Sequence, residues 1–466
     1  MGIQDSMDLP STSRVLRAGT SGFAGGHDAR DIARKCRRAL ANAGLVILLM
    51  SLVVDGFPAG IAVLREFGAR PTNFLLLAVL GVALGRSLLQ WDVAFLRRRD
   101  VLVAVLILVG VPAINLPVAL LQSSEAGGAV ITAWGLQYLM FAWGICSFLV
   151  WKRLLAGIES ARLSRLVCWS AMLPVAIFLL DYLDVLGPVA PALDLVRFKR
   201  DIRPSSLATE PSLFAAWIVV VWPFMLLVAR TAASRSLRVV ATGLLLLTAV
   251  SAFLTNARTA AAIVVLQLGY FGYSHLRRSR SLTARLRALF VVAVLLLVTV
   301  AILAQRLLSL ANVEDNASNI ARLGYTVTGI NVMLAHPFAG IGIGQFTNFF
   351  ATFVPDFALA SDEVALYASG QAEFRASTFN LFVRLLCEFG IPLGLFLSLI
   401  VVQPLRRAAR YVGPGHFYHY AALSAVGGVG FWLTQDQYGY QPAIFSLALL
   451  AATLAKSRGT PQSSSA

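Results

Sequence analysis

Asn380, Arg384 and Glu388 place three polar side chains at every fourth position of an otherwise apolar stretch. Residues four apart lie on the same face of an α-helix, so these three side chains form one stripe. Charged side chains in an apolar helix are costly, and they face a protein interior where they pair or bind a ligand. The stripe therefore predicts either a structural Arg384–Glu388 ion pair or a polar shaft in which Asn380 and Arg384 bind substrate.

The composition of the chain indicates where such a helix would lie. Of the 466 residues, 58% are hydrophobic and only 13% are charged, and the mean hydropathy is +0.75. A soluble domain carries about 25% charged residues, because its surface must face water. Apolar runs long enough to cross a bilayer recur along the chain, and helices satisfy their own backbone polar groups there. The sequence thus predicts an all-α integral membrane protein, a polytopic bundle of about twelve transmembrane helices.

Basic clusters predict the orientation of these helices. With the N-terminus in the cytosol, every even-numbered helix ends at a cluster of lysines and arginines, as the positive-inside rule requires. We therefore expect a multi-pass protein of the bacterial inner membrane with both termini cytosolic. The predicted layout is a disordered basic tail (1–40), helices one to nine (41–310), a long periplasmic loop with an interfacial helix between helices nine and ten (311–377), helices ten to twelve (378–455) and a cytosolic tail (456–466).

Arginines in three external connections oppose this orientation signal, so another role must account for them. Arg197 and Arg203 lie before helix six, and Arg258 lies in the tight turn before helix eight. Arg322 and Arg375 lie in the long loop. Glu210 opens helix six, where either the helix dipole or a ligand would stabilise its charge.

The long loop itself shows a helical period, with Tyr325 opposite an apolar stripe formed by Leu323, Val327, Ile330 and Leu334. This pattern predicts an interfacial helix on the bilayer surface. The helix should end at His336, because a residue before proline leaves the helical region. Glycines at 340, 342 and 344 then allow a tight turn or a close approach to a ligand. A helix and turn that merely pack over the bundle are the alternative.

Neither a metal nor a nucleic acid is expected as a partner. The four cysteines lack CxxC spacing, and no external His, Asp and Glu cluster has metal-ligand spacing, so no cofactor is predicted. The net charge of +16 arises mostly from short clusters at helix ends, which is typical of membrane topology.

Four short motifs, taken in their order along the chain, resemble the O-antigen ligase/polymerase superfamily. They are EPS at 210–212, TNART at 255–259, HPFAGIG at 336–342 and NLFVRLLCEFG at 380–390. The first is similar to a motif of Wzy-type polysaccharide polymerases, and the second resembles an arginine-bearing turn of the superfamily. The resemblance covers most of the chain from Pro211 onward, whereas the first five helices match only in layout.

The resemblance implies a membrane glycosyltransferase that joins undecaprenyl-pyrophosphate-linked oligosaccharides at the periplasmic face, with undecaprenyl pyrophosphate leaving. Such an enzyme needs cations where charge develops and a base for the acceptor hydroxyl. Arginine suits a diphosphate because its planar fork donates two parallel hydrogen bonds. The catalytic candidates are then Arg258 and Arg322 as cations and His336 or Glu210 as the base. The substrate-binding candidates are Arg197, Arg203, Arg375, Asn380 and Arg384. The expected partners are the lipid-linked oligosaccharide, the lipid bilayer, a flippase and a chain-length regulator.

One departure bears on which reaction of the superfamily is expected. WaaL-type ligases carry His-Asn, nine residues and Gly at the start of the tenth helix, whereas Phe379 precedes Asn380 here. We therefore expect a polymerase that makes O-antigen or exopolysaccharide, with a ligase as the alternative. A lipid-linked glycan transporter or flippase is the alternative of another class, but the unusual charges lie mainly at the external face and no internal repeat is detected.

The predicted topology can be tested with reporter fusions at Ser464 and near Asp356. The basic clusters place Ser464 in the cytosol and Asp356 in the periplasm, so the two fusions should report opposite sides of the membrane. A periplasmic signal at Ser464 would contradict the even number of spans.

Overall fold

The computed structural model describes residues 25–53, 71–89, 99–122, 128–183, 211–255, 313–371, 376–411 and 417–459, together with isolated residues between 185 and 293. Within these ranges every regular element is a helix. The α-helices are α1 Gly25–Met50, α2 Pro71–Leu89, α3 Arg99–Gln122, α4 Gly128–Ala156, α5 Ser160–Tyr182, α6 Pro211–Thr231, α7 Arg235–Leu254, α8 Val313–Ala335, α9 Phe346–Phe353, α10 Asp362–Ala368, α11 Leu381–Tyr411, α12 Phe417–Trp432 and α13 Gln441–Gly459. A short 3-10 helix, Asp356–Ala360, lies between α9 and α10.

Among the described residues, six helices are long and apolar enough to cross a membrane: Arg99–Leu121, Val130–Ala156, Ser160–Tyr182, Pro211–Thr231, Arg235–Ala252 and Leu381–Ala408. Together with the absence of strands from the described ranges, they agree with the predicted all-α, multi-pass membrane protein. The count of twelve stays a prediction. Two of the predicted spans, 260–273 and 289–308, lie mostly outside the described residues.

The N-terminal region differs from the predicted disordered tail. The chain divides into two units, Met1–Leu45 and Val46–Ala466, and the first contains most of α1. This helix begins at Gly25, inside the segment 1–40 that was expected to be disordered. Its sequence is rich in alanine and arginine, which both favour helix, and this explains the difference.

The centre of the second unit is α6, whose residues are buried on every side. Trp217, Phe214 and Phe224 are fully buried, as expected of a helix that is apolar all round. Gln267 joins α6 to α12, because its Nε2 donates to the carbonyl oxygens of Val219 and Leu423, both at 2.7 Å. The bundle around α6 is therefore held by polar contacts as well as by packing.

A cap formed by α8, α9, the 3-10 helix and α10 packs against the first part of α11. The predicted period of α8 is confirmed, since the helix ends at Ala335, one residue before His336. Tyr325 is buried in the cap, whereas Leu323, Ile330 and Leu334 on the opposite side are exposed. This exposed apolar stripe has the character of the predicted bilayer-facing surface.

A break in α11 joins the cap to the bundle. Gly390 adopts φ 75° and ψ 167° inside the helix, a conformation open essentially only to glycine. Pro392 lacks the N–H that would normally donate to the Glu388 carbonyl oxygen, so that oxygen is left free for other donors.

The segment after α8 fills this break with backbone hydrogen bonds. Ile341 and Gly342 donate their N–H groups to the carbonyl oxygens of Cys387 and Glu388, both at 3.0 Å, and Ile391 donates to Pro337 O at 2.7 Å. Asn115 of α3 adds two side-chain hydrogen bonds, since its Nδ2 donates to Glu388 O at 3.0 Å and its Oδ1 accepts from Ile343 N at 2.7 Å. The glycine-rich motif at 336–342 is thus a structural plug in this break.

We expect Gly390→Ala to lower the melting temperature strongly. The positive φ with an extended ψ costs a non-glycine residue about 1–3 kcal/mol. A Cβ at this position would also lie 2.3 Å from Phe338 O. Thermal unfolding of the detergent-solubilised protein measures the effect. Gly110→Ala is the matched control, because its added Cβ meets nothing within 4 Å. Equal melting temperatures for the two variants would contradict this account of the break.

Candidate active site

The polar stripe at the start of α11 is arranged as a helix cap followed by an ion pair. Asn380 Oδ1 accepts the backbone N–H groups of Phe382 at 3.0 Å and Val383 at 3.1 Å. This contact satisfies two of the amides that a helix N-terminus leaves open. Only the amino group of the Asn380 side chain therefore stays available to a substrate.

Arg384 and Glu388 form the ion pair that the spacing predicted. Arg384 Nε donates to Glu388 Oε1 at 3.0 Å, and the Glu388 side chain is fully buried. The other oxygen, Glu388 Oε2, accepts from the Tyr438 hydroxyl at 2.5 Å. Both carboxylate oxygens are thus occupied, and Glu388 holds the guanidinium of Arg384 in place.

The guanidinium of Arg384 has further partners on other elements. Nη2 donates to Gln137 Oε1 of α4 at 2.9 Å, and Nη1 donates to the Asp436 backbone oxygen at 3.1 Å. The Tyr438 ring lies 4.4 Å from its Cζ, a cation–π contact. Three of its five N–H groups are used in these bonds and in the one to Glu388, so two stay available to a ligand.

Asp436, between α12 and α13, is a site residue that the sequence reasoning missed. Its Oδ2 accepts the N–H of Thr378 at 2.8 Å and the Thr378 hydroxyl at 3.2 Å, and it lies 3.8 Å from Arg384 Nη1. The available signal was an acidic residue in the short polar stretch between two apolar runs near the C-terminus. No helical spacing connects it to Arg384, because the two residues are 52 positions apart.

These side chains border a cavity of about 160 Å³ lined by Gln137, Gly344, Phe346, Thr347, Ala376, Ser377, Arg384, Glu388 and Asp436. A cavity of about 150 Å³ can hold benzene, which has about half as many heavy atoms as a hexose, so this one has room for part of a sugar unit. Its lining offers hydroxyl, amide, carboxylate and guanidinium groups, which suits a ligand rich in hydroxyls. Two carboxylates against one guanidinium make it unsuited to a diphosphate.

Arg322 does not line this cavity, but it contacts a residue that is close in the chain to the lining residue Ser377. Its side chain is exposed on α8, and its Cζ is 5.6 Å from the centre of the Phe379 ring. Phe379 has φ 50° and directly follows Thr378, the residue that donates to Asp436. Arg322 and Asp436 therefore contact two successive residues of the chain, so an exposed cation and a carboxylate-lined cavity are neighbours.

His336 lies at the other end of α8. Fourteen residues separate it from Arg322, which corresponds to about 21 Å along a helix, so the two cannot contact the same reacting atom. Its ring packs edge-on against Phe349 at 5.3 Å and Phe353 at 6.1 Å, and burial lowers the pKa of His336. The lowered pKa favours the neutral imidazole, and the cavity lining does not include this residue.

The other predicted site residues lie outside the described residues: Arg197, Arg203, Glu210, Arg258 and Arg375. In the part of the chain that the structure describes, no group of three His, Cys, Asp or Glu side chains could hold a metal ion.

The region from α7 through the cap to the broken part of α11 also resembles a known family. Residues 243–398 match the family model for O-antigen ligase. The match covers a third of the chain and includes the plug, Arg322, Phe379 and the Arg384–Glu388 pair. It supports the O-antigen ligase/polymerase superfamily and a role in polysaccharide biosynthesis, without separating the two reactions. A comparison with curated proteins found no match for the chain.

We expect Glu388→Gln to destabilise the protein, because Arg384 would be left buried with its main counter-charge removed. Losing one partner of a buried ion pair costs about 3–5 kcal/mol. The double variant Arg384→Met with Glu388→Leu should recover much of this loss, since two apolar side chains leave no uncompensated charge. Thermal unfolding of the single and double variants measures both effects, and losses that simply add would show that the pair is not coupled.

Proposed function

We propose that the protein polymerises undecaprenyl-pyrophosphate-linked oligosaccharide repeat units into O-antigen or exopolysaccharide at the periplasmic face of the inner membrane. The observation that carries the proposal is the cation beside the cavity. Arg322 is exposed at Phe379, while the neighbouring cavity is lined by hydroxyl, amide, carboxylate and guanidinium groups, which suit a sugar. This separation of a phosphate-binding group from a hydroxyl-binding pocket fits a reaction between a diphosphate donor and a sugar acceptor.

In the proposed reaction, a hydroxyl oxygen of the newly flipped repeat attacks the anomeric carbon of the growing chain. The bond from that carbon to the diphosphate breaks, and undecaprenyl pyrophosphate leaves with the electron pair. Arg322, together with Arg258, would stabilise the charge that develops on the diphosphate. Arg197, Arg203, Arg375, Asn380 and Arg384 are the proposed contacts to the rest of the lipid-linked substrate.

Phe379 supports polymerisation over ligation. The ligase pattern requires a histidine at this position, whereas a phenyl ring can neither accept nor donate a proton. The Phe379 ring lies 5.3 Å from the buried Tyr325 ring and beneath the Arg322 guanidinium. Its contacts are thus those of an aromatic support for the arginine. The ligase remains the second candidate, with its proton acceptor elsewhere.

The broken helix does not favour a transporter. Transporters use discontinuous helices whose free backbone groups bind ions or substrate. Here the carbonyl oxygens of Cys387 and Glu388 and the N–H of Ile391 are all bonded to the plug or to Asn115. The break therefore offers these groups to no ligand, and it serves to anchor the cap.

Glycan analysis of a deletion strain tests the proposed reaction. Loss of a polymerase should leave single repeats on undecaprenyl pyrophosphate and no polymer. Full-length polymer that stays on the carrier would overturn the proposal in favour of a ligase. Restoration by the plasmid-borne gene controls for effects on a neighbouring flippase or chain-length regulator.

We expect Arg322→Ala to lower the polymerisation rate about a hundredfold or more, the usual effect of removing one donor from a developing anion. Arg322→Lys should restore only part of the rate, because lysine lacks the bidentate fork. Arg406→Ala, another exposed arginine, is the matched control and should keep the wild-type rate. A rate for Arg322→Ala within threefold of wild type would remove this residue from the active site.

A further inference from the structure

The two oxygens of the Asp436 carboxylate have different surroundings. Oδ2 accepts both donors of Thr378 and lies near Arg384. Oδ1 receives no hydrogen bond from the described part of the chain. The side chain is only 8% exposed, yet Asp436 lines the cavity. Oδ1 is therefore an acceptor that is open to whatever enters the cavity.

This arrangement is that of a carboxylate oriented for proton transfer. The Thr378 N–H holds Oδ2 at 2.8 Å, and the Arg384 guanidinium at 3.8 Å compensates part of the carboxylate charge. The single proton of the Thr378 hydroxyl has two acceptors within reach, Asn380 O at 2.9 Å and Asp436 Oδ2 at 3.2 Å. A general base must lie within hydrogen-bond reach of the proton that it accepts. Carboxylates perform this step on sugar-bound or water hydroxyls in inverting glycosidases.

The other described acidic and basic groups fit this role less well. Both oxygens of Glu388 are occupied, by Arg384 and by the Tyr438 hydroxyl, and its side chain is fully buried. His336 lies against Phe349 and Phe353, outside the cavity lining and far along α8 from Arg322. The available acceptor and the room for part of a sugar unit coincide at Asp436.

We propose that the cavity is the acceptor-sugar subsite and that Asp436 Oδ1 is the general base that removes the proton from the attacking hydroxyl. The inference rests on the proposed function. As the hydroxyl oxygen bonds to the anomeric carbon, its O–H bond breaks and the proton moves to Oδ1. The bond from the anomeric carbon to the diphosphate breaks with its electron pair leaving on the diphosphate. The proton on Asp436 then passes to water before the next turnover.

In this displacement, Arg322 would bind the leaving diphosphate and Asp436 would bind the attacking hydroxyl. Each contacts one of the adjacent residues Phe379 and Thr378, so the turn at Ser377–Asn380 sets the distance between the cation and the base. The leaving diphosphate would bind at the exposed arginine, and the acceptor hydroxyl would lie inside the cavity. The electrostatics separate the two substrates, because the acidic cavity repels the diphosphate and attracts neutral hydroxyl groups.

The test uses the full-length protein in detergent with lipid-linked repeat units as donor and acceptor. Asp436→Asn keeps the size of the side chain and an oxygen that can accept from Thr378, but it cannot take a proton. We expect kcat to fall by about 10²–10⁴-fold, the range of general base catalysis, with the KM for the donor within threefold of wild type. Asp356→Asn, at an exposed aspartate of the cap, is the matched control and should leave kcat unchanged.

Chemical rescue distinguishes a base from a structural residue. Asp436→Gly removes the carboxylate and leaves room for a small one, so added formate should restore part of its kcat. Formate should not restore the Asp436→Asn variant, whose amide still fills the space. A melting temperature is recorded for each variant. If Asp436→Asn does not fold, the Asp436→Gly rescue decides the matter.

Two outcomes would overturn the inference: a kcat of Asp436→Asn within threefold of wild type, or a folded Asp436→Gly variant that formate does not rescue. Failure of the proposed function looks different. Wild-type protein would then transfer glycan to lipid A core and not to another repeat, and the Asp436 comparison would be made on that transfer. Wild-type protein that transfers to neither acceptor would overturn both proposals.

Discussion

The backbone pairing between the plug and the broken helix α11 is the interaction on which the candidate site depends. Gly390 and Pro392 free the carbonyl oxygens of Cys387 and Glu388, and the segment from Pro337 to Ile343 satisfies them together with Asn115. Unsatisfied backbone groups within a membrane protein cost several kcal/mol each, so the break and the plug require one another. The same pairing fixes Glu388, and Glu388 in turn orients Arg384 at the floor of the cavity.

Steric constraints make this pairing specific to glycine. A Cβ at Gly340 would lie 2.5 Å from Gly390 N, and one at Gly342 would lie 2.5 Å from the Ala119 Cβ. The plug thus approaches both α11 and α3 at backbone distance. The glycines of the HPFAGIG motif were interpreted from the sequence as a tight turn or a ligand approach. Their neighbours are backbone atoms and small side chains of the protein itself, which makes the motif a packing device.

Charge is distributed unevenly across the site, and this has a consequence for chemistry. The cavity contains Arg384 with two carboxylates, whereas the exposed cation Arg322 lies outside it on an aromatic support. In the proposed reaction, the diphosphate and the sugar hydroxyl would therefore have different preferred positions. In such a displacement, the charged leaving group and the neutral nucleophile lie on opposite sides of one carbon. Separate binding positions for the two groups favour this arrangement.

Several features of this protein follow from the sequence by itself. Hydropathy predicts an all-α membrane protein, and six of the described helices are long and apolar enough to span a membrane. The period of Leu323 to Leu334 predicts the last part of α8 and its end near His336, and the four-residue spacing predicts the Arg384–Glu388 pair. Each of these features depends on contacts between residues close in the chain, or on which face of a helix meets its solvent. Both are visible in the spacing of residue types along the sequence. The polar stripe was correct in position, although Asn380 caps its helix with the oxygen that was expected to meet a substrate.

Only the tertiary structure decided which residues meet. Asn115, Gln137 and Asp436 reach the Arg384–Glu388 segment from helices and connections far away in the chain, and no periodicity relates them to it. It also separated His336 from Arg322, which the sequence had grouped in one catalytic set. The physical reason is the same in both cases. A helix face is determined locally, whereas the identity of the side chain opposite it depends on how the helices pack, and that packing is set by close backbone contacts such as those at Gly340, Gly342 and Gly390.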